Sequence, residues 1–545
     1  MAQWLNDWLA AASLAELTLA FLAENLILLA GVVGAGWGLT ALFSHRRVAF
    51  VPGPVTFSDG AMALVNVALN YTLVWDRLFG TVRPDYAESF GRSRIGRNVE
   101  PCASRGAPRQ ALHNRRGLIM KKLGLLSLFI LALNLCSSLD VLQVAGSTFP
   151  LDKGESLALV GARIYTSPSE KPLINGTVLL RDGRIVAVGG RGEIKIQPRT
   201  RVIDCTGLTL TAGFWNSHVH FTEIKWENAA SLPSQQLTKQ LQEMLTRYGF
   251  TTVFDTGSYW EITKALRQRI ESGAVEGPRI FSTGEILFPK RGAPPPELLK
   301  ASGTIARTMP EVENAQQAVE LVRQKLDSGV DAIKIYAQTF WDPNLKMPLE
   351  VIKAITIEAH SHARLVFVHP SNSYGLEAAI DSGADILVHT TPQTAQWDEA
   401  LIAKMKRGGI ALVPTLKLWR IEGERGGARP DAVQRFLDRG VYQLRAYFQA
   451  GGQILFGTDV GYITDYDPTE EYQQMERAGM RFQDILASLT TSPAGRFGAS
   501  GRTGRIAPGM DADIVLLAGD PANDIKALSN VRYTIRKGKI IYQAK

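Results

Sequence analysis

Thr211-Ala-Gly-Phe-Trp-Asn-Ser-His-Val-His-Phe-Thr222 decides how the chain is read. A short apolar run leads into His218 and His220, one residue apart. In an extended chain residues i and i+2 point to the same face. Both imidazoles therefore converge at the end of one strand, as two metal ligands must. By itself His-x-His is also what a half-exposed strand with two polar residues looks like. The following ~240 residues decide between the two readings, because each further ligand-type side chain there also ends or interrupts an apolar run.

Working outward, residues 212–500 alternate apolar strands with helical patterns. Eight strands are expected at 212–220, 251–256, 279–286, 331–336, 365–369, 385–389, 410–414 and 453–459. Helical stretches such as 314–329 and 348–363 lie between them. Eight β–α units over about 290 residues predict an α/β fold of the (β/α)8 barrel type, with its active site at the C-terminal ends of the strands. On those strands His218 and His220 close the first, Lys334 lies in the fourth, His369 closes the fifth, His389 the sixth and Asp459 the eighth. Five of the six suit Zn2+ or a similar ion directly. Lys334, between Ile333 and Ile335, is expected to be buried, and a buried ammonium beside cations is costly. Carbamylation by CO2 would turn it into an anionic ligand able to bridge two metals. The bland alternative is a lysine that snorkels to the surface.

Short β-rich runs flank this middle. Residues 157–211 carry the turn dipeptides Asn175-Gly176 and Asp182-Gly183, and the same character returns in 512–543. One small β-sandwich built from 157–211 and 504–545 is expected around a barrel at 212–503.

The first 140 residues are different. Residues 13–43 are long enough to cross a bilayer, although Glu16 and Glu24 interrupt them, and His45-Arg46-Arg47 would mark the cytoplasmic end. Met120 to Cys136 has a basic start and about 13 apolar residues, the layout of a secretory signal peptide. That layout reads Met120 as the natural start of the enzyme; the alternative is a second membrane segment spanning 120–140. Either way, the expected location of the rest is periplasmic or extracellular, or membrane-anchored outside the cytoplasm. Residues 70–81, NYTLVWDRLFGT, resemble the C-terminal signature of the sterol desaturase and fatty acid hydroxylase superfamily. Those enzymes need several histidine clusters, whereas His45 and His113 are the only histidines before residue 218. Hydroxylase chemistry is thereby excluded, and residues 1–119 read as a fused remnant.

Composition narrows the function. The hydrophobic share of 45% and charged share of 21% are those of an ordinary globular protein. Of the net charge of +8, the first 122 residues contribute five, from 13 Lys and Arg against 8 Asp and Glu. No basic, aromatic-interleaved patch remains for nucleic acid. Cys102, Cys136 and Cys205 are too scattered for a disulfide framework or a cysteine metal site. The expected partner is a small-molecule substrate; membrane association through the N-terminal region and a homo-oligomer are left open.

From about residue 157 to 545 the chain resembles the metal-dependent amidohydrolases, in the branch with prolidase-like and imidazolonepropionase-like members. The stretches that carry the resemblance are AGFWNSHVHF, DAIKIY, LVFVHPSNSYGLEAAIDSGADILVHTTP, ALVPTL, ILFGTD and GRIAPGMDADIVLL, in family order over about seven-tenths of the chain. Asn216 departs from the Asp usual two residues before the first ligand, and Phe214-Trp215 is bulkier than the usual pair. The resemblance implies two divalent metal ions, one on His218, His220 and Asp459 and one on His369 and His389. It also implies that carbamylated Lys334 and a hydroxide bridge them. Asp459 would move the proton from the hydroxide to the leaving amine, with His389 beside it. The activity implied is hydrolysis of an amide in a dipeptide or cyclic amide. The alternatives are a mononuclear deaminase, a lactone or ester hydrolase, or a decayed metal-binding barrel. Tyr336 and Tyr462 are candidate substrate contacts. His360, His362 and Asp255 read as structural, and substrate selection is assigned to loops 221–250, 287–312, 337–347 and 415–440.

Overall fold

The computed structural model describes residues 156–545, except 340, 341, 343 and 395. The expected membrane helix, the signal-like segment and the desaturase-like stretch all lie outside the described residues. Among the described residues no helix is long and apolar enough to cross a membrane.

The two flanks hydrogen-bond into one eight-stranded sheet. Its N-terminal strands are β1 (Ser156–Ile164), β2 (Leu173–Arg181), β3 (Arg184–Gly190), β4 (Arg201–Asp204) and β5 (Leu208–Ala212). The seam is β5 antiparallel to a strand that begins some 300 residues later, Ile514–Ala518. Val531–Arg536 and Lys539–Gln543 extend the sheet beyond it. Alternate residues fill one core, including Leu159, Val178, Ile185, Leu210, Ile514, Leu516 and Ile535. Asp182 (φ 51) and Gly183 (φ 75) make the expected two-residue turn between β2 and β3, both with positive φ. Asn175-Gly176 does not turn the chain. It lies inside β2, where Asn175 (φ 56) sits beside a register irregularity in the pairing with β1. A positive φ in a strand makes a bulge when the neighbouring strand keeps its hydrogen bonds on either side.

The middle contributes eight parallel strands in two sheets. One is β6 (Phe214–Val219), β7 (Phe250–Asp255) and β8 (Arg279–Ser282). Next along the chain come two-residue strands β9 (Phe288–Pro289) and β10 (Glu311–Val312), which pair with each other. The second large sheet is β11 (Ile333–Tyr336), β12 (Val366–His369), β13 (Ile386–Val388), β14 (Ala411–Val413) and β15 (Gln453–Ile454). Single parallel bridges, Leu287 to Ile335 and Val219 to Val460, join residues just past one sheet to the other. The helices at Ala315–Ser328 and Leu349–Ser361 fall where the sequence pattern puts them.

Two expectations shift. The last strand is only two residues long rather than seven, because residues 456–459 trade ladder pairing for separate bonds to β6. Ser217 N–H donates to the Phe456 carbonyl (2.7 Å) and Asp459 N–H to the His218 carbonyl (2.9 Å). Gly457 permits this approach, since a Cβ there would lie 2.9 Å from that of His218. The expected loop 415–440 is mostly helical, with helices Leu416–Arg425 and Pro430–Gln449. Its signal was present: Val433, Leu437, Val441 and Leu444 are buried at helical spacing behind Pro430 at the helix start.

A small cluster of strand residues underlies the site: Phe254, Ala332, Phe367, Ile386, Val388, Ala411, Val413 and Leu455. Lys334 is two residues past Ala332, and His369 two past Phe367, so both project on the same face one layer higher. Below, Arg279 at the start of β8 binds Asp511 (2.9 Å) and Asp513 (3.0 Å), tying the eight-stranded sheet to the parallel strands through largely buried ion pairs.

Candidate active site

The ends of β6, β12, β13 and the segment after β15 bring the ligand-type side chains together. His218, His389 and Asp459 offer ligand atoms that all lie within 4.8 Å of one another. Asp459 Oδ1 is 3.0 Å from His218 Nε2 and 2.9 Å from His220 Nε2. His369 joins through its ring, 4.6 Å from that of His389. Lys334, 1% exposed on β11, is close enough for its charge to act on His218, His369 and His389. All six positions marked in the sequence thus meet in one cluster, five of them buried and His369 half-buried.

Backbone strain marks the same place. His389 (φ 74) and Asp459 (φ 63) are non-glycine residues in the left-handed region, where such residues cost of order 1–3 kcal/mol each. The surroundings hold them there, and in return both side chains face the cluster.

Burial sets the protonation states. It pushes His218 down to about 3, and His369 and His389 well below the usual histidine range. Burial alone would raise the Asp459 carboxyl, but the neighbouring imidazoles hold it well below the usual carboxylate range. Asp459 is thereby ionised beside neutral His218, His369 and His389. Burial also lowers the Lys334 amine to about 7, against the opposing pull of Asp459.

This donor set fits a divalent metal. His218 Nε2 and Asp459 Oδ1 are fully buried, face each other at 3.0 Å and make no hydrogen bond. Two buried lone pairs without donors are expensive unless a cation takes them. Neutral imidazole and carboxylate are the forms that ligate.

Several side chains around the cluster play lesser parts. Asn216 donates to Thr458 Oγ1 (2.7 Å) and accepts from the His218 N–H (3.3 Å), so it braces the backbone beneath the first ligands. Tyr336 stacks on His369 with ring centres 3.9 Å apart. Tyr462, on the rim, donates to Glu422 (3.2 Å) under the guanidinium of Arg425. Asp255 accepts from Ser258 (2.5 Å), Thr263 (2.7 Å) and Ser282 (2.8 Å), a hydrogen-bond hub outside the ligand group. His360 and His362 end their helix and pair with Asp385 (2.7 Å) and Glu358 (3.1 Å).

Three residues escaped the sequence reading. Thr256 Oγ1 is 2.6 Å from His218 Nδ1, and Thr415 Oγ1 is 2.5 Å from His389 Nδ1. Glu471, fully buried, accepts from the N–H groups of Leu416 (2.9 Å) and Lys417 (2.8 Å). A signal existed for the threonines, which follow the ends of apolar strands as the histidines do.

A family model described as the amidohydrolase family matches residues 209–541, the span that carries every residue of this cluster. The chain belongs to the amidohydrolase family. It is accordingly a hydrolase acting on carbon–nitrogen bonds, in a family of small-molecule enzymes that generally bind divalent metals. This amidohydrolase is 26% identical over 426 residues to ochratoxinase of Aspergillus niger, covering 70% of this chain and 86% of that one. A prolidase solved with N-methylphosphonate-L-proline is 26% identical with a TM-score of 0.58, over 71% of this chain and 100% of that one. A Xaa-Pro dipeptidase with bound methionine shares the fold, at 23% identity and a TM-score of 0.60, over 72% and 100% of the two chains.

Proposed function

We propose that this amidohydrolase cleaves the amide bond of a dipeptide or cyclic amide at a centre of two divalent metal ions, zinc by donor type. The observation that carries the reading is the convergence of His220 and of neutral His218, His369 and His389 on ionised Asp459 and the buried amine of Lys334. Likeness to ochratoxinase and to prolidases supports an amide of small-molecule size.

His218, His220 and Asp459 would hold one ion and His369 and His389 the other, with Lys334 shared. With its amine lowered to about 7, Lys334 carries a free lone pair near neutral pH. That amine adds CO2 and loses a proton to become an anionic carbamate. The two cations, when bound, activate water and polarise the scissile carbonyl. Asp459, ionised and held by its strained backbone, takes a proton at its carboxylate from the attacking water and returns it to the leaving nitrogen. His389 lies beside it and steadies the same region. Tyr336, stacked on His369, and Tyr462 on the rim are the side chains we assign to substrate contact.

The architecture proposed with this function is a (β/α)8 barrel at 212–503, flanked by a small β domain from 157–211 and 504–545 in which the expected sandwich is one continuous eight-stranded sheet. The two single bridges between the parallel sheets support closure. The exported or membrane-anchored location rests on the signal-like segment 120–140.

A mononuclear deaminase, or a lactone or ester hydrolase, has one observation in its favour: His218, His389 and Asp459 form a three-ligand group by themselves. Metal analysis of the purified chain, with turnover assays on dipeptides, cyclic amides, lactones and aminopurines, separates the readings. Two ions per chain with release of an amine from a dipeptide or cyclic amide is the expected result. One ion with ammonia release from an aminopurine would overturn it.

A further inference from the structure

The helix Leu416–Arg425 begins in an unusual way. Its N-cap is Thr415, a residue type that ordinarily accepts a hydrogen bond from the second or third helical N–H. Here Thr415 makes no such bond. Its backbone is left-handed (φ 47, ψ 52), a genuine outlier for a β-branched residue, and its hydroxyl is turned away from the helix it starts. The capping is done from elsewhere. Glu471, in the helix Thr469–Arg477, reaches across and takes the free N–H groups of Leu416 and Lys417, one on each carboxylate oxygen. A buried carboxylate on those N–H groups leaves the Thr415 hydroxyl free.

That hydroxyl has two neighbours, the Pro414 carbonyl at 2.9 Å and His389 Nδ1 at 2.5 Å. A hydroxyl has one proton to donate. The hydroxyl donates to the Pro414 carbonyl, which also takes the Thr390 N–H (3.3 Å), and with its proton there the hydroxyl oxygen accepts from Nδ1–H. A neutral imidazole has a single ring proton. Once it is on Nδ1, Nε2 is left with its lone pair.

From this geometry we infer that Thr415 is a positioning residue: held left-handed by the Glu471 cap, it selects the Nδ1–H tautomer of His389 and presents Nε2 to the metal centre. Thr256 makes a like hydroxyl contact (2.6 Å) to Nδ1 of His218, whose Nε2 is buried without a hydrogen bond. The inference rests on the proposed role of His389 as a metal ligand. Outer partners of metal-bound histidines usually act in this way.

The test uses the full-length chain with 15N-labelled histidine, as isolated and after metal removal by a chelator. Long-range 1H–15N spectra report the tautomer, and loss of a signal in His389→Asn assigns it. The expected result is an Nδ1–H His389 in both forms. Thr415→Val, which keeps the shape without the hydroxyl, should lose that preference in the stripped protein. Its metal affinity, measured by chelator competition, should fall ~10–100-fold. Thr415→Ser should restore both. An Nε2–H tautomer in stripped wild type overturns the inference without any variant, as does wild-type metal affinity in folded Thr415→Val. Unchanged metal stoichiometry and affinity in His389→Asn would instead overturn the ligand role of His389, and leave the tautomer result standing.

Discussion

Replacing Lys334 by Met should move stability and metal binding in opposite directions. Lys334 is 1% exposed between Ile333 and Ile335, both wholly buried, and burial lowers its amine from 10.5 to about 7. Each tenfold change in proton affinity is worth about 1.4 kcal/mol, so the protonated amine costs the metal-free fold about 5 kcal/mol. The folded value lies below the unfolded one. Below pH 7 both states hold the proton and the full cost is present. Between pH 7 and 10.5 the unfolded chain still binds the proton while the native one has released it, so stability rises with pH across that window. Methionine keeps the apolar stem and removes the cost. The metal-stripped Lys334→Met protein should therefore be more stable than wild type at about pH 6, by several kcal/mol at most, and should lose the rise above pH 7. Its metal content and turnover should fall together, because the shared anionic ligand is gone. Denaturant unfolding of stripped protein across the pH range, metal analysis and a turnover assay give the three readings. Full metal occupancy and normal turnover in Lys334→Met would refute the bridge, and an unchanged pH slope would refute the buried ammonium.

Asp459→Asn should keep much of its metal while kcat falls ~10²-fold or more, the scale for loss of a general acid–base; a kcat within a few-fold of wild type would remove Asp459 from proton transfer. Glu471 should produce a pH slope of the other sign. Burial raises it from 4.5 to about 7, against the bonds from Lys417 and Leu416, so stability should fall as pH rises through that window, by about 3 kcal/mol. Glu471→Gln should flatten the slope, and unfolding midpoints between about pH 4 and 8 check it. A chain beginning near residue 140 should retain metal and turnover, since the ligand set lies wholly beyond it; a folded, metal-bound product without turnover would show that the N-terminal region takes part.

Much of the site was legible because strand periodicity is a local property of the backbone. An apolar run closed or interrupted by a ligand-type residue says where that side chain points; His218, His220, His369 and His389 stand at the ends of such runs and Lys334 inside one. The helices at 314–329 and 348–363 were legible for the same reason at the helical period. The Asp182-Gly183 turn was readable because two adjacent residues that tolerate positive φ need no outside help to reverse the chain.

What only the tertiary structure decided depends on groups far apart in sequence. Asn175-Gly176 has the same local chemistry as a turn, yet pairing with β1 keeps it in the strand. The left-handed backbone of Thr415 is foreign to a β-branched residue, and those of His389 and Asp459, though such residues tolerate it better, are likewise fixed by packing and hydrogen bonds from other segments. Protonation is equally non-local. The low His218 and the lowered Lys334 follow from burial, and burial exists only once the strands have assembled. Glu471 capping Leu416 and Lys417 from 55 and 54 residues away is the plainest case. A sequence pattern shows which atoms can act, while the fold determines which of them meet, because free energies of charge and hydrogen bonding depend on distance through space.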